Sequence, residues 1–169
     1  EMALAYVARF ATSAAKLERY LQRKLRERGW EEGVEEPDIP AMVNRYVERG
    51  YVDDEVYARA KAGDLLRRGY GGRRVRQALG QAGIGESVAE DVAPAEHDAR
   101  NAAMHLARKR RFGPFALTPH DSDRREKQIA AMLRAGHTFD HVRAVLDAAD
   151  EDSVTQWVEE AREETGDWD

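Results

Sequence analysis

The sequence predicts an all-α protein, and three observations carry that prediction. Apolar residues recur at three- and four-residue spacing, and glycines stop the resulting stripes at near-even intervals. Alternating apolar and polar runs bounded by hairpin turns are absent. Composition agrees, since 35% of the 169 residues are charged and only five are proline, which favours long, solvated helices. A chain of this length makes one domain or a few small repeated units.

The organising stretch is residues 49–84. Gly50 ends one helix, because a residue without a Cβ enters the left-handed region that closes helices. Tyr51 is then the apolar residue just outside the next helix. Asp53 or Asp54 caps that helix by accepting bonds from its unpaired amides. Val56, Ala60, Gly63 and Leu66–Arg67 are expected to continue its face until Gly69, Gly71 and Gly72 interrupt it. Val75 and Leu79 open the following stripe, and Gly83 closes it.

Upstream, residues 3–10 form a short apolar helix. Thr12 or Ser13 caps a second helix whose face is Leu17, Tyr20, Leu21 and Leu25, stopped by Gly29. Residues 30–38 read as an acidic loop with Glu31, Glu32, Glu35 and Glu36. Asp38-Ile39-Pro40 starts a helix well, since proline early in a helix loses no amide bond. Met42, Val43, Tyr46 and Val47 are its expected inner face.

Downstream, residues 86–92 make a short helix carrying Val88 and Val92. Pro94 restarts the chain into a long helix through Ala99, Ala102, Ala103, Leu106 and Ala107, ending near Phe112-Gly113-Pro114. Residues 115–121 are a connector. Ser122 or Asp123 is expected to cap a helix through Ile129, Met132 and Leu133, stopped by Gly136. A further helix carries Phe139, Val142, Val145 and Leu146. Val154, Trp157, Val158 and Ala161 then give a tail helix with one narrow apolar face. Its outer side carries Asp150, Glu151, Asp152, Glu159, Glu160, Glu163 and Glu164.

These stops reveal a repeat. Leu25 precedes Gly29 by four residues, as Leu79 precedes Gly83 and Met132 precedes Gly136; the glycines are 54 and 53 residues apart. Each is followed by a short helix bearing Val43/Val47, Val88/Val92 or Val142/Leu146. Such spacing signals stacked helical units too small to stand alone. The predicted architecture is an elongated, curved array of three tandem three-helix repeats, residues 1–50, 51–93 and 94–149, with an acidic C-terminal helix over 150–169. Trp157 is expected to dock that helix on the third repeat. A terminal cap is the plainer role for it, and electrostatic screening of the basic body the sharper one.

The ordered set Gly50-Tyr51, Asp53-Asp54 and Ala58, then Arg68-Gly69-Tyr70-Gly71, then Leu79 with Gly83-Ile84, resembles the RecX family of recombination regulators. Residues 4–13 are also similar to that family's opening helix pair, and the likeness extends over nearly all of residues 3–149. Two departures stand out. Phe10 sits where many members carry a basic residue, and Met132 with Gly136-His137 replaces a leucine and a glycine–phenylalanine pair. The resemblance implies a non-enzymatic regulator that binds RecA filaments and inhibits or modulates RecA in DNA repair, recombination and the SOS response.

Catalytic chemistry finds no support in the residues. Cysteine is absent, which rules out disulfides and thiolate metal sites and fits a reducing compartment. His137 and His141 share ligand spacing, but His137 directly follows a glycine stop and no carboxylate or cysteine sits at ligand spacing beside them, so no metal or other cofactor is expected. His120, Asp121 and Asp123 suit turn and cap chemistry. Asp53 and Asp54 resemble a nuclease pair less than two caps, and Gly69-x-Gly71-Gly72 lacks the strand and lysine of a phosphate loop. No run approaches the roughly 18 apolar residues of a membrane span, and residues 2–8 lack a basic leader and cleavage pattern. A cytoplasmic monomer is expected. The start at Glu1 is compatible with a longer native N-terminus.

Charge is more telling. Arg59, Lys61, Arg67, Arg68, Arg73, Arg74 and Arg76 face the single acid Asp64 between positions 59 and 76. Lys16, Arg19, Arg23, Lys24, Arg26 and Arg28 enrich the second helix, and Arg108-Lys109-Arg110-Arg111 form a run of four. From Asp147 onward ten acids meet only Arg162, a net −9. The first 146 residues therefore carry +4 of a chain total of −5. The candidate partner-binding residues are Arg23, Lys24, Arg67, Arg68, Arg73, Arg74, Arg76, Arg108, Lys109, Arg110 and Arg111, facing a RecA filament or single- or double-stranded DNA. Asp53, Asp54, Gly29, Gly50, Gly83 and Gly136 are the expected structural caps. Tyr51, Tyr57 and Tyr70 suit helix junctions better than base stacking. A stand-alone DNA-binding protein and a helical adaptor are the alternatives.

Overall fold

The computed structural model describes residues 1–30, 32–119 and 121–163. Every regular element among them is helical: α1 Met2–Arg9, α2 Ala14–Arg28, α3 Ile39–Glu48, α4 Asp54–Arg67, α5 Gly72–Gln81, α6 Glu86–Asp91, α7 Glu96–Arg110, a 3₁₀ turn Gly113–Phe115, α8 Ser122–Arg134, α9 Phe139–Leu146 and α10 Glu151–Glu163. Glu31, His120 and Glu164, singled out in the sequence, lie outside the described residues. No helix is long and apolar enough to cross a membrane among those described.

The chain divides into two compact units, residues 1–60 with 79–91, and residues 61–78 with 92–169. In the first, Ala3, Leu17, Leu21, Ile39, Val43 and Val52 are buried together, with Tyr6, Tyr20, Leu25, Met42 and Tyr46 packed against them. Helix α2 starts at Ser13, whose Oγ accepts the Lys16 amide at 3.2 Å and donates to the Ala82 carbonyl. Asp54 does not cap its own helix. Its Oδ1 accepts the Ala14 amide at 2.8 Å, closing the first turn of α2 from forty residues away, while Asp53 accepts the Val56 amide at 3.0 Å and caps α4.

In the second unit, α7 supplies Ala103, Met104, Leu106 and Ala107 to a core shared with Phe115, Met132, Val142, Val145, Leu146, Val154 and Val158. Tail helix α10 is thus part of this core. Trp157 is packed against it, with the Arg100 guanidinium 5.0 Å from its ring and His141 edge-on at 5.5 Å. Buried Gln128 accepts the Gly113 amide at 3.0 Å and ties α8 to the 3₁₀ turn.

Several expected faces are corrected. On α4 the buried stripe is Ala58, Ala62 and Leu65, and Val56 is 59% exposed rather than inward. That helix has alanines on more than one side, so its apolar pattern left the face ambiguous. Val47, Leu133 and Phe139 are exposed, because Ile39, Met132 and Val142 already fill the inward positions of their helices. Helix α8 is capped by Asp121, which accepts the Arg124 amide at 2.9 Å, not by Ser122 or Asp123. Val92 falls in the turn after α6. Gly72 does not interrupt a helix but starts α5.

The glycine stops share one hydrogen-bond pattern. At Gly50, Gly83 and Gly136 the glycine amide bonds the carbonyl three residues back, and the next amide bonds the carbonyl five back. Gly29 differs, with an extended ψ of −176°. Gly50 has a φ of +73° and open space around it, whereas Gly136, at +96°, places its missing Cβ against the backbone nitrogen of Arg74 and 2.6 Å from the Arg74 Cβ.

Two stability outcomes follow. Gly50→Ala should cost about 1–2 kcal/mol, the left-handed penalty alone, and Gly136→Ala more than about 3 kcal/mol, because backbone must also move; urea melts give both. Asp54→Ala should cost about 1–2 kcal/mol through the lost α2 cap. Its amide-exchange signature belongs at Ala14, and accelerated exchange at Val56 instead would contradict the cross-helix assignment.

Candidate functional site

Helix α5 begins without a Ser, Thr, Asp or Asn to cap it. Its first amides are satisfied instead by the end of α8: Gly71 donates to the Ala135 carbonyl at 2.9 Å and Arg73 to the Gly136 carbonyl at 3.2 Å. The positive end of α5 therefore meets the negative end of α8. Only glycines permit this approach, since a Cβ on Gly71 would lie 2.6 Å from the His137 nitrogen. His137, buried at 1% exposure, completes the joint, its Nε2 donating to the Gly69 carbonyl at 2.8 Å.

This joint holds Tyr70, half-buried against the core, between two arginines. The Arg68 guanidinium lies 5.3 Å from the ring centroid and that of Arg74 lies 5.9 Å away. Arg68 also reaches Asp64 at 3.4 Å, and Arg74 donates to Gln77 at 2.8 Å. Arg67, Arg73 and Arg76 are exposed in the same segment. Guanidinium groups leaning on a ring keep N–H donors directed outward, the arrangement that takes phosphate or carboxylate oxygens.

Gly69 abuts Leu106 of α7, two residues before the run Arg108–Arg111. Those four residues are exposed at the carboxyl end of α7, with Arg108 over Phe115 at 5.2 Å and Arg110 over Phe112 at 5.3 Å. Arg111 itself takes the left-handed conformation, φ 57°, that ends the helix. Arg23 and Lys24 belong to the other unit, and both pair with Glu27, at 3.5 and 2.6 Å. The Lys24 hydrogen bond, with Arg23 and Arg28 nearby, holds the Glu27 carboxyl below its ordinary range. These two cations are therefore partly neutralised, as Arg68 is by Asp64, whereas Arg74 donates to the neutral Gln77.

The aromatics serve junctions. Tyr57 receives the Lys16 ammonium over its ring at 5.3 Å, and Tyr51 tilts against Tyr46 at 5.6 Å. One cluster has no sequence signal at all. Glu96 accepts from Arg100 at 2.7 Å and from His141 at 2.9 Å, joining α7 to α9 beside Trp157. Partial burial works to raise the Glu96 carboxyl, and the bonds from Arg100 and His141 outweigh it and hold the group low.

Comparison with known proteins gives a consistent picture. A family model described as RecX, second three-helix domain, matches residues 53–92. The chain is 35% identical over 154 residues to the regulatory protein RecX of Myxococcus xanthus, covering 86% of this chain and 82% of that one. It is 34% identical over 134 residues to the regulatory protein RecX of Halorhodospira halophila, covering 79% and 80%. A third relative, the regulatory protein RecX of Vibrio parahaemolyticus, is 32% identical over 120 residues, covering 71% and 76%.

The joint carries a pH signature. Burial pushes the His137 imidazole below its ordinary 6.5, outweighing the Gly69 hydrogen bond, and the neighbouring His141 acts in the same direction. The folded chain thus binds fewer protons than the unfolded chain below that value. Stability is full above about pH 6.5 and falls as pH drops toward the folded pKa, by at most about 1.4 kcal/mol per pH unit. Urea melts across this range should show the slope, and His137→Gln should flatten it. An unchanged slope in the variant would assign the effect elsewhere.

Proposed function

The chain belongs to the RecX family of regulatory proteins, and from that membership we propose that it binds RecA–DNA filaments and modulates RecA recombinase activity in DNA repair and recombination. It acts by binding rather than by catalysis, as a cytoplasmic monomer. The observation that supports this reading best is the Arg68–Tyr70–Arg74 group, presented on a turn locked by backbone hydrogen bonds. Arg73 and Arg76 extend it, and the run Arg108–Arg111 adds positive charge to the same unit.

The physics favours a large anionic partner. Each guanidinium releases condensed counterions when it replaces them at a phosphate, and several acting together give affinity that falls with salt. The geometry offers anion recognition without base-reading order, which suits a repetitive filament or its DNA backbone more than a particular sequence. Against tight binding to free DNA stands the acidic outer side of α10, where Glu151, Asp152, Glu159, Glu160 and Glu163 are exposed.

Co-sedimentation with RecA–single-stranded DNA–ATP filaments, compared with DNA alone, tests the proposal. Arg73→Glu with Arg74→Glu should lower filament affinity at least about tenfold and relieve inhibition of strand exchange, with circular dichroism unchanged. Wild-type inhibition by the folded double variant would make this surface a merely solvated face. Equal affinity for filament and bare DNA would replace the reading with a stand-alone DNA-binding protein.

A further inference from the structure

The first unit carries an open groove of about 620 Å³ that the basic segment of the second unit does not use. It lies among α1, the second half of α2 and α3. Its floor includes the buried Leu21 and Ile39 with Met42, and its mouth exposes Leu4, Trp30 and Tyr51 at 50%, 46% and 55%. An opening of this size falls in the range of sites that bind apolar groups. Large apolar side chains this exposed, gathered around one opening, mark an interaction surface rather than scattered surface residues.

The rim says which occupant fits. Lys24 and Arg28 line the groove from α2, one turn apart, and Arg45 and Arg49 line it from the end of α3, again one turn apart. Residues at that spacing share a helix face. The groove is therefore flanked by a row of cations on each helix, against Glu1 alone among its described lining residues. Lys24 is held by Glu27, and the Arg28 guanidinium rests 3.6 Å from the Met2 sulfur, whereas Arg45 and Arg49 are exposed.

From this we infer that the groove docks an acidic amphipathic segment of a protein partner, its apolar side chains filling the groove and its carboxylates meeting the two cation rows. A fatty acid offers one carboxylate for four rim cations, and a nucleic acid has no aliphatic side chains for the floor. A peptide helix with an apolar stripe between acidic flanks answers both features, the helix-in-groove mode of recognition. The interaction is separate from the Arg68–Tyr70–Arg74 surface.

Fluorescence anisotropy with a labelled amphipathic peptide, a leucine stripe flanked by glutamates, tests the inference on the full chain. The expected result is saturable binding that weakens with salt. It should fall at least about tenfold in Leu4→Glu and in Arg45→Glu with Arg49→Glu. Leu4 is half exposed and both arginines are exposed, and melting temperatures verify that the variants are folded. The Arg73→Glu and Arg74→Glu variant should bind the peptide as wild type does, whatever its effect on filaments. Four outcomes overturn the inference: absence of binding; equal binding of the same peptide with lysines for glutamates; displacement of the peptide by laurate at equal concentration; and a dimer in sedimentation that Leu4→Glu dissolves, which would make a second copy the occupant.

Discussion

Backbone-to-backbone docking of two helix-ending turns is the constraint on which the second unit depends. The carbonyls of Ala135 and Gly136 close α8 and open α5 at once, so two sets of orphan backbone groups satisfy each other without a side-chain cap. Such a contact works only with no Cβ between the chains, which accounts for glycine at both 71 and 136. His137 then fills the space beside the joint, with one ring nitrogen on the Gly69 carbonyl and the ring kept neutral by burial. Every basic residue of the candidate surface on α5 inherits its position from this joint.

A related solution recurs in the first unit with different chemistry. There the start of α2 is completed by Ser13 and by Asp54 from α4, and Ser13 and Arg19 both donate to carbonyls, of Ala82 and Gln81, at the end of α5. Gly83 packs against Ala15 with no room for a side chain. Helix ends are thus tied to other helices rather than left to solvent. A short helix gains little from its own propensity, so α3, α5 and α9 draw on such ties and on buried faces for their persistence.

The distribution of charge follows from the same economy of contacts. Arg68 and Arg74 are held against the Tyr70 ring, so their stems are ordered while their heads stay exposed, whereas Arg100, over Trp157, donates to Glu96 and to the Trp157 carbonyl. The acids of α10 face outward because Val154, Val158 and Ala161 bind its other side to the core. The acidic helix is therefore a structural element of the second unit.

Read alone, the sequence determined the helical class, most helix limits, the glycine stops, the start of α3 at Asp38, and the family, and it narrowed the caps of α2 and α4 to Thr12 or Ser13 and Asp53 or Asp54. These are local properties, set by spacing and by residues within one turn of a helix end. The face of α4 was not legible, because Ala58, Ala60 and Ala62 offer no contrast along the helix. Nor was the partner of Asp54, the grouping of Arg68 and Arg74 around Tyr70, or the Glu96–His141–Arg100 cluster. The first and last of these join residues on different helices and the second folds a turn onto the helix that follows it, and a periodic pattern records which way a side chain faces but not what it meets. Only the packing of helices and turns on one another decided those pairings, since for Asp54 with Ala14 and Glu96 with His141 the energies arise from groups that are neighbours in space and distant in sequence.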